Sequence, residues 1–260
     1  MQRESFDVIV VGAGAFGAVS ALELAQRGHR VTLLDRTMAP HPDASSTDIS
    51  KMIRMDYGSD IFYHELADFS INLWEEWNAE WPRPLYHAEG FLVLAAAPFA
   101  PGTFEFESER VLRERGYEPE RFNAAQLAQK WPAWNADLYP QGYVSPRGGW
   151  AESGAVVSRL LALGRTHGVR FVQGALDKIV STGSEVSGIR YSTRDGSMKT
   201  KKADRVVVAA GAWTPILLPW LVDILKPVAQ PIIHYGVENP SRWKSPSFPP
   251  FAADTSGSGW

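Results

Sequence analysis

Residues 6–17 read FDVIVVGAGAFG, a β-branched run that leads directly into a Gly12-x-Gly14-x-x-Gly17 motif. A helical pattern follows, with small or apolar residues at positions 18, 21, 22 and 25. Gly28 ends this helix, and residues 31–34 form a second apolar strand that is followed directly by an acidic residue. The stretch therefore predicts a strand, a helix and a second strand joined by a glycine-rich turn.

Each glycine of the motif has a physical role. Gly12 makes the tight turn, Gly14 lets the backbone approach a diphosphate, and Gly17 lets the helix pack closely on the strand. The diphosphate lies at the helix N-terminus, where unpaired N–H groups and the helix dipole favour negative charge. Asp35 is placed to accept hydrogen bonds from ribose hydroxyls. The motif predicts a dinucleotide site, with a plain βαβ unit as the alternative, and it does not separate NAD from FAD.

Composition excludes several classes of protein. The chain has 260 residues, 45% of them hydrophobic, so it can bury a core of one large or two small domains. A net charge of −3 gives no reason to expect nucleic acid or an anionic membrane as a partner. With no cysteine there is no disulfide or thiolate site, and the six histidines lack metal-ligand spacing, so no metal is predicted. We expect an intracellular protein, cytoplasmic or peroxisomal, with no signal peptide and no membrane-spanning segment.

Two later stretches each permit two interpretations. Residues 44–58 contain the cations Lys51 and Arg54, which either lie in a solvated turn or face a cofactor and substrate. Residues 205–213 read RVVVAAGAW, which is either a buried strand with an ordinary turn at Gly211 or a strand end that approaches a bound cofactor. Residue types alone leave both questions open.

The middle of the chain predicts ordinary packed elements. Residues 61–81 form a helical pattern whose apolar positions 66, 69, 73 and 77 are expected in the core. We expect a loop from residue 131 through 149 and an edge strand at residues 227–235.

Several separated stretches together resemble the D-amino-acid oxidase superfamily of FAD enzymes, in particular its sarcosine oxidase and fructosyl-amino-acid oxidase branch. They follow one another in the family's order and are the Gly12–Gly17 motif with Asp35, SSTDISKMIRMDYG at 45–58, RGGWAES at 147–153, GVRF at 168–171 with Leu176, and VVVAAGAW at 206–213. The combination is far more specific than any one stretch, and it favours the functional interpretation at Lys51, Arg54 and Gly211.

The resemblance implies an α/β fold. A discontinuous Rossmann-like FAD-binding domain is interrupted by an α+β substrate domain built on a mixed sheet. The FAD-binding domain is expected at residues 1–58 and 146–215, and the substrate domain at residues 59–145 and 216–260.

It also implies the roles of individual residues. Arg54 would pair with the substrate carboxylate, since a guanidinium binds a carboxylate through two parallel hydrogen bonds. Lys51 would lie along the isoalloxazine, and these two cations are the predicted catalytic residues. Asp35 would hold the adenosine ribose, and Leu176 would meet the adenine through its backbone. The predicted FAD-binding residues are Gly12, Ala13, Gly14, Phe16, Gly17, Asp35, Arg36, Ser46, Thr47, Lys51, Leu176, Ala210, Gly211 and Trp213.

The implied reaction is the oxidation of a secondary amine or amino acid. A hydride equivalent passes from carbon to FAD, the resulting imine is hydrolysed, and dioxygen accepts the electrons to give hydrogen peroxide. In the family, the strand with the lysine that assists dioxygen activation is expected just after Trp260, so these 260 residues are expected to hold FAD weakly or not at all and to turn over poorly. The competing interpretations are a non-catalytic FAD-binding fragment and an NAD-dependent dehydrogenase.

Overall fold

The computed structural model describes residues 5–37, 39–244 and 247–258. The chain divides into two compact units, each made of two segments. Unit 1 is Met1–Ile49 with Ser153–Ile232, and unit 2 is Ser50–Glu152 with Ile233–Trp260. The assignment of an FAD-binding and a substrate domain, with the boundaries predicted above, stays a prediction. Residues 259 and 260, which precede the expected lysine strand, lie outside the described residues.

Unit 1 is built on a six-stranded mixed sheet. Its strands, in chain order, are β1 (Asp7–Val11), β2 (Arg30–Asp35), β9 (Arg170–Thr182), β10 (Glu185–Thr193), β11 (Met198–Lys202) and β12 (Arg205–Val208). They lie side by side in the order β11-β10-β9-β2-β1-β12. The four neighbouring strands β9, β2, β1 and β12 run parallel to one another. The strands β9, β10 and β11 form an antiparallel meander.

The apolar run before the glycine motif forms the centre of this sheet. Val8–Val11 are all buried, because β1 has a parallel neighbour on each side. Helix α1 (Ala15–Gln26) buries its small residues, Gly17, Ala18 and Ala21, together with Leu22. Helix α5 (Ser153–Thr166) packs beside α1 and buries Val156, Val157, Leu160 and Leu161. The predicted βαβ unit is therefore present.

Unit 2 contains two smaller sheets. A four-stranded sheet has the order β13-β5-β7-β6, with β5 (Phe91–Ala95), β6 (Glu120–Asn123), β7 (Gln141–Ser145) and β13 (Phe251–Ala253). A three-stranded sheet has the order β3-β8-β4, with β3 (Lys51–Ile53), β4 (Tyr86–His87) and β8 (Gly149–Ala151). Its main helices are α2 (Ile61–Glu80), α3 (Phe104–Glu114) and α4 (Ala124–Lys130). Two four-residue helices complete the chain, α6 (Thr214–Leu217) in unit 1 and α7 (Thr255–Ser258) in unit 2.

The prediction for the inner face of α2 is wrong at two of its four positions, whereas Leu73 and Trp77 are half-buried. Leu66 and Phe69, expected in the core, are 48% and 61% exposed. The helix instead buries His64 and Ile71. His64 Nδ1 lies 3.1 Å from the Met55 carbonyl oxygen. A histidine whose ring nitrogen is hydrogen-bonded in this way can lie on the buried face of the helix although its side chain is polar.

Two further predictions of local structure are corrected. The expected loop at 131–149 contains β7 and the first residue of β8. Gly142 lies inside β7, where a Cβ would meet Val93 O at 2.5 Å, so this position requires glycine. The expected edge strand at 227–235 is not formed, although the structure describes all of these residues. Prolines at 227 and 231 remove two backbone donors that such a strand needs. In the part of the chain that is described, no helix combines the length and apolarity that crossing a bilayer requires.

Candidate cofactor and substrate site

The turn from β1 into α1 is sterically fixed by two of its glycines. Gly12 has φ +101°, and a Cβ there would lie 2.4 Å from Ala209 O. A Cβ on Gly17 would lie 1.7 Å from Gly12 O. A Cβ on Gly14 would meet only the Ser46 hydroxyl, at 3.2 Å. Gly12 and Gly17 are therefore required by the protein's own packing, whereas Gly14 keeps the helix start open.

Two side chains hold this turn in place. The Asp35 carboxylate, at the end of β2, accepts hydrogen bonds from Ala13 N at 2.8 Å and from Thr37 N at 3.0 Å. Ser46 Oγ accepts from Ala15 N at 3.1 Å, while the N-cap residue Gly14 has no capping side chain. Asp35 and Ser46 thus stabilise the turn in addition to any contact with a ligand.

The second predicted strand end lies directly beside the glycine turn. β12 is the parallel neighbour of β1, with Val208 opposite Val11, and Ala209 N donates to Val11 O at 2.8 Å. The chain then leaves the sheet at Gly211, where φ is +52°, and forms a short 3₁₀ turn at Gly211–Trp213. Parallel strands that end together leave a crevice at their carboxyl ends, which is where ligands bind in such sheets.

A cavity of about 980 Å³ occupies this edge of the sheet, and all of its lining residues belong to unit 1. Its volume is at the upper end of the range of about 300–1,000 Å³ for small-molecule sites. The cavity brings together most of the predicted FAD-binding residues. They are Gly12, Ala13, Gly14, Phe16, Asp35, Arg36, Ser46, Leu176, Ala210, Gly211 and Trp213.

Three predicted FAD-binding residues are not part of this lining. Gly17 lies on the buried face of α1, where its role is close packing against Gly12. Thr47 follows Ser46, and its Oγ1 is buried without a hydrogen-bond partner in the described part of the chain. Lys51 belongs to unit 2. The roles of all the predicted site residues toward FAD stay predictions.

The cavity also includes residues that the sequence analysis did not single out. His41, Gly174 and Ile216 are among them, and His41 lies against Trp213 with ring centroids 5.5 Å apart. A Cβ on Gly174 would meet Ser192 O at 2.6 Å, so this glycine is fixed by strand packing. No motif marked these positions, because they lie on three separate elements, namely the connector after β2, β9 and α6.

The cavity fits FAD in shape and chemistry. The residues at Gly12–Gly14 and Ala209–Gly211 have small side chains or none, which lets a diphosphate approach the ends of β1 and β12. The start of α1 favours anionic groups. Apolar side chains, including Phe16, which is 85% exposed, offer surface to rings.

Unit 2 presents the two predicted catalytic cations on one short segment. Lys51 begins β3, where it pairs with Ala151 of β8. Arg54 follows the strand, and its guanidinium lies 4.6 Å from the Tyr57 ring centroid and 5.6 Å from that of Phe104. Arg54 Nη1 is buried and has no hydrogen-bond partner among the described residues. A planar cation held between two rings with a free donor is well suited to bind a carboxylate.

A buried polar pair lies just beyond Arg54. Asp56 is fully buried, and its Oδ1 accepts a hydrogen bond of 2.6 Å from the Tyr143 hydroxyl. Burial raises the pKa of Asp56 to about 6, while the Tyr143 hydrogen bond and the Arg54 charge oppose the rise. Burial and the Asp56 charge raise the pKa of Tyr143 well above its ordinary value. No sequence pattern indicates this pair, because its two residues are far apart in the chain.

Comparison with known proteins agrees with this geometry. A family model described as FAD dependent oxidoreductase (DAO) matches residues 7–259. The chain therefore belongs to the DAO family of FAD-dependent oxidoreductases, and FAD is the cofactor of that family. The expected family and the expected cofactor are both confirmed.

Individual relatives are oxidases. The N-methyl-L-tryptophan oxidases of Yersinia pestis (strain Pestoides F) and Yersinia pseudotuberculosis (serotype O:1b, strain IP 31758) are each 27% identical to this chain over 219 residues. The match covers 83% of this chain and 56% of each relative. The chain thus spans about half the length of the curated relatives that it matches.

Solved structures confirm the expected fold class. NikD, described as an unusual amino acid oxidase essential for nikkomycin biosynthesis, matches with a TM-score of 0.70 at 23% identity, over 84% of this chain and 54% of that chain. The fructosamine oxidase Amadoriase II from Aspergillus fumigatus, in complex with FSA, matches with a TM-score of 0.68 at 25% identity, over 82% of this chain and 50% of that chain. The α/β architecture is shared with these FAD oxidases.

Asp56 predicts a pH-dependent stability. Its pKa is raised on folding, so its contribution to stability is fully present below the ordinary aspartate pKa of 3.8 and is lost as pH rises through about 6. The loss amounts to about 3 kcal/mol, because each pKa unit corresponds to about 1.4 kcal/mol. We expect Asp56→Asn, whose amide oxygen still accepts from Tyr143, to remove this dependence in urea unfolding measured from pH 4.5 to 7, where most of the loss occurs.

The exposed Asp195 supplies the control. Hydrogen bonds from Thr193 and Ser197 lower its pKa to about 2, so it does not titrate in this window. Asp195→Asn should therefore leave the slope of stability against pH unchanged. An Asp56→Asn variant that keeps the slope of the parent would show that Asp56 is not the group responsible.

Ser46 predicts a smaller effect at the start of α1. Ser46→Ala removes the acceptor of the Ala15 N–H, which no capping side chain replaces. We expect a loss of about 1 kcal/mol in the free energy of unfolding, as for a lost N-cap. Ser158→Ala, which removes an exposed hydroxyl bonded to Gly154 O within α5, should change it by less than about 0.5 kcal/mol. Equal effects of the two substitutions would contradict the assigned role of Ser46.

Proposed function

We propose that the protein is an FAD-dependent oxidase that converts the C–N bond of a secondary amine or amino acid into an imine and reduces dioxygen to hydrogen peroxide. The observation that carries the proposal is the cavity at the joined ends of β1 and β12 in a chain of the DAO family. The substrate class is sarcosine-like or glycated amino acids, which agrees with relatives that are named for N-methyl-L-tryptophan and fructosamine.

Arg54 is the proposed anchor of the substrate. Its buried, unpartnered Nη1 and its two aromatic neighbours support a carboxylate partner, because desolvation strengthens such a charge-assisted pair. A carboxylate fixed at one point orients the carbon that loses hydrogen, and orientation of this kind contributes several kcal/mol to a rate enhancement.

The remaining residues hold and orient the cofactor. Gly12, Ala13, Gly14 and Phe16 surround the diphosphate, with Gly17 packed beneath them. Asp35 and Arg36 contact the ribose, and Leu176 contacts the adenine. Ser46, Thr47 and Lys51 lie along the isoalloxazine. Ala210, Gly211 and Trp213, which follow β12, cover the dinucleotide from that side. When bound, FAD accepts the two electrons of the substrate and passes them to dioxygen.

We further propose that unit 1 is the FAD-binding domain and that unit 2 belongs to the substrate domain. Because all lining residues of the cavity lie in unit 1, we expect the 260 residues to bind FAD weakly but saturably rather than not at all.

The test combines peroxide detection with a panel of amines. We expect a flavin-loaded preparation to produce hydrogen peroxide with an N-methyl or fructosyl amino acid, and to produce less with the matching amino acid amide. Turnover that depends on added NAD and yields no peroxide would instead support the dehydrogenase. A flavin-loaded preparation that stays inactive with every amine of the panel would contradict the oxidase proposal for this chain.

A further inference from the structure

The connector that follows β2, residues 39–48, belongs to unit 1 and is held by hydrogen bonds to other parts of that unit. His41 O accepts from Ala44 N at 3.1 Å, so the connector forms a tight turn. Ser46 Oγ joins it to the start of α1. Farther along, Asp48 O accepts from Gly154 N at 3.0 Å and from Ser153 Oγ at 3.1 Å, at the start of α5. His41, Ala44, Ser45 and Ser46, which line the cavity, therefore belong to a segment that hydrogen bonds hold in place.

His41 is the residue of this connector with the most specific geometry. Its Nδ1 accepts a hydrogen bond from Asp43 N at 3.1 Å. A neutral imidazole that accepts at Nδ1 carries its proton on Nε2, so the distal nitrogen is a donor. The ring lies against Trp213, with ring centroids 5.5 Å apart and a tilt of 48°, and both residues line the cavity.

Several backbone donors of the glycine turn are already used within the protein. The N–H groups of Gly12, Ala13 and Ala15 already have acceptors, namely Leu34 O, Asp35 and Ser46 Oγ. Asp35 adds a negative charge to the lining, and Arg36 is the lining residue with a full positive charge. A further side-chain donor on the cavity wall would therefore add to the binding of a diphosphate.

We propose that His41 is a cofactor-binding residue whose Nε2–H donates to the diphosphate of FAD. The Asp43 N–H fixes the tautomer, and contact with Trp213 fixes the ring plane. The inference rests on the proposed cofactor site and adds to it a donor that no glycine motif indicates.

Three substitutions separate the distal donor from the rest of the side chain. His41→Gln places an amide N–H near the position of Nε2 and should keep most of the affinity for FAD. His41→Asn has an amide that reaches only to about the position of Nδ1, so it lacks a donor near the position of Nε2, and His41→Phe keeps only a ring against Trp213. For both we expect an increase of about tenfold to a hundredfold in the dissociation constants of FAD and ADP. Binding of adenosine, which has no phosphate, should be unchanged.

The dissociation constants are measured by calorimetry on the apoprotein of the 260-residue chain, with thermal unfolding as the check of folding. His167→Asn is the control, because its Nδ1 lies 2.9 Å from Leu163 O at the end of α5 and the residue does not line the cavity. Parent-like binding of FAD and ADP by His41→Asn would overturn the proposal, and so would an equal loss for ADP and adenosine. A parent chain that binds neither FAD nor ADP would overturn the cofactor site itself, which distinguishes the two failures.

Discussion

Gly17→Ala is expected to destabilise the protein by about 3 kcal/mol or more, although alanine is the better helix former. The added Cβ would lie 1.7 Å from Gly12 O, which is backbone, so α1 cannot remain against β1. The same displacement distorts the turn that begins the cofactor cavity, and FAD binding should be lost with it. Urea unfolding and FAD titration measure the two effects.

Gly28→Ala is the matched control for this prediction. Gly28 follows the same helix and has a positive φ, +91°, but a Cβ there meets nothing within 4 Å. Only the cost of a left-handed conformation remains, about 1 kcal/mol, and FAD binding should be unchanged. If Gly17→Ala proved as mild as Gly28→Ala, the close packing of α1 on the glycine turn would be wrong.

Arg54→Ala is expected to lower kcat/KM for carboxylate-bearing amines by a hundredfold or more, since truncating one partner of a buried charge pair costs about 2–5 kcal/mol. Substrates whose carboxylate is replaced by an amide should lose little further activity in the variant. N-methyl-L-tryptophan and its amide form a suitable pair of substrates. Peroxide production is measured with each of them, in a preparation in which the unsubstituted protein oxidises the acid.

Arg54→Lys and Arg165→Ala complete this test. Lysine keeps the charge but not the planar fork, so an intermediate loss is expected. Arg165 lies over the Phe171 ring at 4.3 Å in unit 1, and its removal should leave the preference for carboxylates unchanged. Equal losses for the acid and the amide in Arg54→Ala would show that Arg54 does not bind the carboxylate.

The βαβ unit could be predicted from sequence because its signals are local. The apolar run at Val8–Val11, the glycine spacing and Asp35 each constrain neighbouring residues, and all of them agree. The pairing of β12 with β1 required the family resemblance, since about 190 residues of chain separate the two strands and no local pattern shows which strands become neighbours.

The buried face of α2, the pair of Asp56 and Tyr143, and His41 were not predicted for one physical reason, namely that tertiary contacts override residue type. His64 is buried in α2 because a backbone carbonyl accepts its hydrogen bond, which displaces the buried stripe from Leu66 and Phe69. The pair of Asp56 and Tyr143 exists only where β7 passes the segment after Arg54. His41 was not predicted because its value as a donor depends on a tautomer set by Asp43.

Titration of the purified apoprotein with FAD, in parallel with NAD, tests the central claim most directly. The cavity of unit 1 predicts saturable binding of one FAD per chain, competition by ADP, no comparable binding of NAD, and loss of FAD binding in Gly17→Ala. An absence of saturable FAD binding up to millimolar concentrations, or tighter binding of NAD than of FAD, would contradict the account.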